Sequence, residues 1–165
     1  ASQKGIPMFP SLESLIESQP DRFDLISLSH VLEHLTDPVG MLRLIREALL
    51  TQDGTLLLEV PNFYAHDSYE LAHLACFTPH TLKTVIQQAG YVMVSLKKHG
   101  VPRSDCLSLY LTLVARPSPA GRTGRSLRRE TRVKLKRAFG MFYRRLVQKL
   151  LPQKAWRSLP DELRP

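Results

Sequence analysis

The fold is decided by two stretches, Phe-Asp-Leu-Ile-Ser-Leu-Ser-His-Val-Leu-Glu-His at residues 23–34 and Leu-Leu-Leu-Glu-Val-Pro-Asn at residues 56–62. Phe23–Ser29 and Thr55–Val60 are nearly continuous apolar runs, which is typical of parallel strands covered by helices on both faces. Between them, apolar residues repeat at helical spacing from Pro38 onward. The succession predicts a βαβ unit with a right-handed crossover.

Further elements are predicted on both sides of this unit. Ile6–Phe9 has the pattern of a short strand and Leu12–Glu17 that of a short helix. Thr78–Gly90 begins with a capping threonine and ends with glycine, which predicts a second helix. Strands are expected at Tyr91–Leu96 and Leu107–Ala115, and the loop between them is too short for a crossover helix, so they should pair antiparallel. The predicted class is α/β, with parallel strands and an antiparallel edge strand.

Positive charge is concentrated at one end of the chain. Residues 1–115 contain 8 Lys and Arg against 12 Asp and Glu, whereas residues 116–165 contain 15 against 3. The change in charge coincides with a stretch rich in proline and glycine, the composition of a linker. We therefore predict a body at residues 1–116, a linker at 117–126 and a basic tail at 127–165.

The tail carries the pattern of an amphipathic helix. Apolar residues recur at helical spacing among lysines and arginines, at Leu135, Phe139, Phe142, Leu146 and Leu150. In one interpretation this stripe packs on the body or on another subunit. In the other, residues 127–151 lie on an anionic membrane surface. Binding to nucleic acid is not predicted, because no RNA-binding motif accompanies the charge.

The composition indicates a cytoplasmic protein. No apolar run approaches the roughly 20 residues that a membrane-spanning helix needs, and we expect no signal peptide. The two cysteines, Cys76 and Cys106, lack metal-binding or disulfide-framework spacing and fit reduced thiols.

A family resemblance rests on several of these motifs. The string His-Val-Leu-Glu-His-Leu-Thr-Asp-Pro after the first strong strand, the Glu-Val-Pro-Asn that ends the next, and the later His73, Phe-Thr-Pro and Ala-Gly-Tyr resemble class I S-adenosylmethionine-dependent methyltransferases, especially their small-molecule and sugar-modifying branch. The resemblance covers residues 4–116. It implies a Rossmann-like sheet, S-adenosylmethionine as cofactor, and a small-molecule acceptor, with a sugar or glycan as one candidate.

The resemblance also implies roles for individual residues. The adenine side of the cofactor maps to Pro10, Ser11 and Leu12, and its methionine portion to Ser29 and His30.

On the acceptor side, the resemblance implies that Asn62, Tyr64 and His73 contact the substrate. The predicted catalytic residues are His30, His34 and Glu33, because an imidazole can accept a proton from an acceptor hydroxyl near neutral pH. No metal site is predicted. Residues 30–34 match an inverted zinc-protease motif, but that motif needs both histidines on one helix, and His30 follows a strand.

The sequence departs from the family at one essential feature. Its eight glycines form no Gly-x-Gly turn, and the acidic residue that normally binds the cofactor ribose has no counterpart. We therefore expect an incomplete Rossmann-like methyltransferase sheet, the C-terminal part of the fold, in a chain that is inactive alone and that belongs to a longer, active parent. The alternative is a noncatalytic Rossmann-like module that binds a protein partner or an anionic membrane through its basic tail.

Overall fold

The computed structural model describes residues 6–18, 21–67, 72–118 and 128–158. In chain order the helices are α1 (Leu12–Glu17), α2 (Pro38–Leu44, continued by a π-helical turn at Ile45–Leu49), α3 (Pro79–Gln88), α4 (Val133–Leu150) and α5 (Pro152–Ala155). The strands are β1 (Phe23–Ser29), β2 (Leu50–Pro61), β3 (Tyr91–His99) and β4 (Tyr110–Pro117). A short 3₁₀ turn, Leu32–His34, follows β1.

These strands form one sheet in the order β1-β2-β4-β3. β1 and β2 are parallel, whereas β4 is antiparallel to both β2 and β3. The predicted βαβ unit and the antiparallel pairing of the last two strands are thus confirmed. The α/β class is confirmed as well.

The hydrophobic core lies between the sheet and helices α2 and α3. It contains alternate residues of β2 and β4 together with the inward faces of the two helices, and its fully buried members include Leu42, Leu56, Leu58, Leu82, Ile86, Leu111 and Leu113. Both helices begin as predicted, because Asp37 and Thr78 cap them and proline occupies the first helical position. Gly90 ends α3 in the left-handed conformation, which glycine adopts without strain.

Two predictions about strands are wrong. Ile6–Phe9 has irregular backbone and pairs with no strand in the described part of the chain, and its apolar side chains Ile6, Met8 and Phe9 are exposed. An apolar run becomes a strand only where a neighbouring strand accepts its backbone hydrogen bonds. β1 was predicted to be covered by helices on both faces, yet it lies at the edge of the four described strands and leaves Leu25 exposed.

The tail forms the predicted helix, but the prediction that its apolar stripe packs on the body is wrong. Arg137, Gly140, Arg144 and Val147 share the face of α4 that contacts the body. Arg137 donates to the carbonyl oxygens of Phe63 and His66, and Arg144 donates to that of Ala65 and pairs with Asp67 at 2.7 Å. The apolar stripe therefore faces away from the body. Most of the predicted linker, residues 119–126, lies outside the described residues.

Candidate active site

The candidate site lies where the parallel strands β1 and β2 end. Ser29 is paired with Glu59 in the sheet, and the backbone N–H of His30 donates to the carbonyl oxygen of Glu59 at 2.9 Å. Ligands of open α/β sheets bind at this carboxyl edge. The predicted residues Ser29 and His30 therefore occupy the end of the sheet at which binding is expected.

His30 has an unusual backbone conformation. Its φ is 53°, in the left-handed region that few residues other than glycine adopt, although histidine, asparagine and aspartate occur there more often than most. After His30 and Val31, the chain enters the short 3₁₀ turn that contains Glu33. Such strain persists only where the surrounding structure enforces it, and it is concentrated at functional sites.

The imidazole of His30 lies between two carboxylates. Its Nδ1 is 3.3 Å from Oε1 of Glu33, and its Nε2 is 3.5 Å from Oε1 of Glu59. The hydrogen bond with Glu33 raises the pKa of His30, partial burial lowers it, and the charges of both carboxylates raise it further, so that the pKa lies above its ordinary value. A histidine held in this way is oriented, and the imidazolium formed when it takes up a proton is stabilised.

Glu33 is a buried charged group, with a residue exposure of only 1%. Burial raises its pKa, but the hydrogen bond with His30, a backbone hydrogen bond and the charges of His30 and His34 outweigh burial, so that the pKa lies below its ordinary value. Its Oε1 contacts His30, whereas its Oε2 has no hydrogen-bond partner within the described residues. Buried polar atoms without a partner are rare and call for an explanation.

Residues of β3 and β4 extend the site beyond the sequence prediction. Oε2 of Glu59 accepts a hydrogen bond from the Thr112 hydroxyl at 3.0 Å and lies 3.3 Å from Nε2 of His99. The ring of Tyr110 packs edge-on against His30, at 5.4 Å between centroids, and at a tilt against His99, at 5.8 Å. Glu59 thus pairs with side chains of β3 and β4, and His99 joins it in one cluster. Only the register of β2, β4 and β3 reveals this cluster, because it sets Glu59 opposite Thr112 and His99 opposite Tyr110.

His34 and His73 form a second group on the other side of Glu33. Nδ1 of His34 is 2.9 Å from the carbonyl oxygen of Ala72, and the two imidazole rings are 4.8 Å apart. A small cavity of about 20 Å³ adjoins this group and is lined by Glu33, Pro61, Phe63, His66, His73, Ala75, Cys76 and Phe77. His34 is therefore close to Glu33 and His73 rather than to the ring of His30.

The predicted substrate residues Asn62 and Tyr64 make contacts within the protein. The buried Asn62 amide donates to the Ser108 carbonyl oxygen at 2.7 Å and accepts from the Tyr64 N–H at 3.2 Å. The hydroxyl of Tyr64 donates to Glu130 at 2.6 Å. Both side chains thus fix the loop after β2, and their contact with substrate stays a prediction.

Pro10, Ser11 and Leu12 lie in a separate part of the described chain. The Ser11 hydroxyl caps α1, where it accepts from the N–H of Ser14, and every residue of α1 is at least partly exposed. Within the described residues, no hydrogen bond joins this segment to Ser29 or His30. Their role at the cofactor stays a prediction.

A wider cleft of about 660 Å³ opens at the opposite end of the sheet. Its lining includes Arg22, Leu50 and Arg116, which lie at the beginning of β1, the beginning of β2 and the end of β4. This is the amino edge of the parallel pair. The cleft is therefore distinct from the carboxyl edge that holds His30.

An open α/β sheet that binds its ligands at the carboxyl ends of parallel strands is the architecture of Rossmann-like enzymes. The family model of a methyltransferase domain matches residues 3–96. The chain belongs to this methyltransferase domain family. The recognition made from residues 23–34 and 56–62 is confirmed.

One solved structure supports the fold assignment, and a second is similar to part of this chain. A SAM-dependent methyltransferase from Archaeoglobus fulgidus has 16% sequence identity and a TM-score of 0.50, over 62% of this chain and 63% of that chain. The 1,6-didemethyltoxoflavin-N1-methyltransferase of Burkholderia thailandensis, solved with bound 1,6-didemethyltoxoflavin and S-adenosylhomocysteine, has 24% identity and a TM-score of 0.48, over 59% of this chain and 44% of that chain. This chain thus spans less than two thirds of either protein. No curated protein matches its sequence.

Proposed function

We propose that the protein to which this chain belongs transfers a methyl group from S-adenosylmethionine to a small-molecule acceptor. The observation that carries the proposal is the placement of His30, in a strained turn between Glu33 and Glu59 at the carboxyl edge of a methyltransferase-family sheet. Fold alone would not suffice, because one scaffold serves many reactions.

The residues present fit the cofactor at one end. Ser29 and His30 offer polar, partly exposed groups at the strand end, where the family resemblance puts the methionine portion. When bound, S-adenosylmethionine supplies an electrophilic methyl group. The Gly-x-Gly turn and the ribose carboxylate are not among these 165 residues. We therefore expect the chain alone to bind the cofactor weakly and to be inactive.

His30 is the proposed catalytic base. Glu33 orients its ring through Nδ1, which leaves Nε2 beside Glu59 at the carboxyl edge of the sheet. His30 takes up the proton that the acceptor loses, and both carboxylates stabilise the resulting imidazolium. Methyl transfer depends mainly on alignment, so the rigid turn at His30 contributes by fixing position as well as by accepting a proton.

A sugar or glycan is the proposed acceptor class. The edge combines Glu59, His30 and His99, which can bind hydroxyl groups, with the ring of Tyr110, an apolar face beside them. A hydroxylated ring needs this mixture of polar and aromatic contacts. The atom of this acceptor that receives the methyl group is oxygen, nitrogen or carbon.

Two measurements test this function. Calorimetry of the 165-residue chain with S-adenosylhomocysteine should detect little or no binding, and micromolar affinity would contradict the expected absence of the cofactor half. In the full reading frame, His30→Ala should reduce methyl transfer to nucleotide-sugar substrates at least about a hundredfold, whereas the control His80→Ala, a change on α3, should not. If His30→Ala keeps both activity and binding, the role of His30 as catalytic base is wrong. If the parent protein shows no methyl transfer at all, the noncatalytic module is favoured.

We also propose that the exposed apolar face of α4 docks on an anionic membrane, while the opposite face of this helix stays packed on the body. Support comes from α4, whose apolar residues are 41 to 70% exposed and are the stripe Leu135, Phe139, Phe142, Leu146 and Leu150. Lys134, Arg145 and Lys149 flank this stripe, as in helices that lie in an anionic lipid interface. In the described residues, no helix is long and apolar enough to cross a membrane.

Co-sedimentation with liposomes tests this docking. The chain should bind vesicles that contain phosphatidylglycerol and should bind phosphatidylcholine vesicles far less. Phe139→Ser with Phe142→Ser should abolish binding, whereas Val92→Ser with Val94→Ser, which changes exposed valines of β3, should not. Unchanged sedimentation after deletion of residues 117–165 would rule the docking out, and dimerisation through the stripe would replace it with a subunit interface.

A further inference from the structure

We propose that Glu33, His34 and His73 form a binding site for a divalent transition-metal ion of the Zn²⁺ type. Each side chain offers one ligand atom, and the three atoms lie within 4.8 Å of one another. Two imidazoles and one carboxylate are a ligand set found in catalytic zinc sites, which keep a further position open. This departs from the sequence prediction of no metal, because His73 is brought to Glu33 and His34 only by the loop after β2.

Glu33 gives the strongest indication that a cation belongs here. Its carboxylate is buried, its Oε1 is engaged by His30, and its Oε2 has no hydrogen-bond partner in the described part of the chain. A buried ionised oxygen is costly unless it is paired or coordinates a metal. An ion on Oε2 satisfies this atom without disturbing the contact with His30.

His34 is oriented in the manner of a metal ligand. Its Nδ1 lies 2.9 Å from the carbonyl oxygen of Ala72, and since a carbonyl can only accept, Nδ1 carries the proton. The unprotonated Nε2 is then the ligating atom. A backbone carbonyl on the second ring nitrogen is the usual support of a metal-binding histidine, because it fixes both tautomer and orientation.

Space and access are suitable for one ion. The adjoining cavity of about 20 Å³, lined in part by Glu33 and His73, is of the size of a single water or ion. Bound zinc lies about 2.0–2.2 Å from nitrogen and oxygen ligands, so the side chains must close inward slightly, a movement within rotamer adjustment. His34 is exposed and His73 partly so, which gives the ion a path from solvent. Imidazole ligands favour such an ion over Mg²⁺ or Ca²⁺.

Titration of the tag-free, metal-free chain with ZnCl₂ in a calorimeter tests the site without cofactor or acceptor, so its outcome is independent of methyl transfer. One ion should bind per chain with micromolar affinity. His34→Ala and His73→Ala should each weaken binding by about tenfold or more, whereas His80→Ala, which removes a histidine from α3, should leave it unchanged. Co²⁺ should give a visible absorption band that His73→Ala abolishes.

Circular dichroism of the metal-free variants shows whether they are folded, and the change at His73, a partly exposed residue, keeps the test valid if His34→Ala does not fold. Absence of zinc binding by the folded wild-type chain would overturn the proposal. Equal affinity of the wild type and His73→Ala would overturn it as well.

Discussion

His30 combines a costly backbone conformation with a side chain that lies between two carboxylates. Its φ of 53° is one of two left-handed values among the non-glycine residues that the structure describes, and the other is at Arg132 before α4. The two contributions to stability are opposed, because the backbone is strained while the imidazole compensates the charge of buried Glu33. His30→Ala removes the imidazole and keeps the Cβ, whereas His30→Gly removes both, so comparison of the two variants separates the backbone strain from the side-chain contact.

We predict that His30→Gly is more stable than His30→Ala by about 1 kcal/mol, because only glycine adopts the left-handed region without steric cost. Both variants should be less stable than the wild type, since both leave the Glu33 carboxylate without its partner. Urea unfolding of the three proteins measures the differences. A more stable alanine variant would show that the turn at residue 30 changes conformation once the imidazole is lost.

Position in the sheet explains how far the site could be predicted at the residue scale. Ser29 and His30 were predicted by the rule that parallel strands carry ligands at their carboxyl edge, since they end a strongly apolar strand, whereas Glu33 was predicted through the family resemblance. His99 and Tyr110 could not be identified, because their approach to Glu59 depends on the register of two antiparallel strands and on an irregularity in β3 between Met93 and Ser95. Such a bulge reverses which side chains face the site.

At the scale of elements, α4 shows why an amphipathic pattern does not determine the buried face. The stripe of larger apolar residues predicts that this face of α4 is buried. The helix instead packs through Arg137, Gly140 and Arg144, and the stripe is exposed. The loop after β2 explains the choice, since its carbonyl oxygens at Phe63, Ala65 and His66 have to be satisfied, and the two arginines supply donors. The demand for donors is a property of the loop's shape, which the sequence of α4 does not reveal.

Gly140 permits this packing. A Cβ at this position would collide with the carbonyl oxygen of Tyr64, a backbone atom that cannot move away cheaply. We predict that Gly140→Ala detaches α4 from the loop although alanine is the better helix former by about 1 kcal/mol. Amide hydrogen exchange in Val133–Leu150 should accelerate by about tenfold or more. Phe142→Ala, on the exposed face of the same helix, is the control and should leave exchange unaltered.

Over the whole molecule, body and tail are joined through Glu130. Its carboxylate accepts hydrogen bonds from the hydroxyls of Tyr64 and Thr78, both at 2.6 Å, and pairs with Lys136 at 3.0 Å. Thr78 caps α3 and Tyr64 follows β2, so that one side chain joins two elements of the body to the start of α4. A second connection comes from Arg144, which is 4% exposed and pairs with Asp67. Protonation of Glu130 should therefore affect the attachment of the entire tail.

We predict that acid weakens this junction through Glu130. Burial raises its pKa, but hydrogen bonds from Thr78, Tyr64 and Lys136 outweigh burial and hold the pKa below the ordinary 4.5. Because the folded value is the lower one, the carboxylate contributes stability that is fully present above about pH 4.5 and is lost as the pH falls through the folded pKa.

Glu130→Gln replaces the titrating carboxyl group with a neutral amide of similar shape. Denaturant unfolding of the wild type and of Glu130→Gln, followed from pH 7 towards acid, should give curves that converge as the pH falls, with the wild type the more stable at neutral pH. Glu17→Gln, an exposed change on α1, should instead follow the wild type throughout. A constant gap between the wild type and Glu130→Gln would mean that the carboxylate stays ionised in acid or that its charge does not hold the tail. Convergence would show that a single partly buried carboxylate couples the basic helix to the sheet that carries His30.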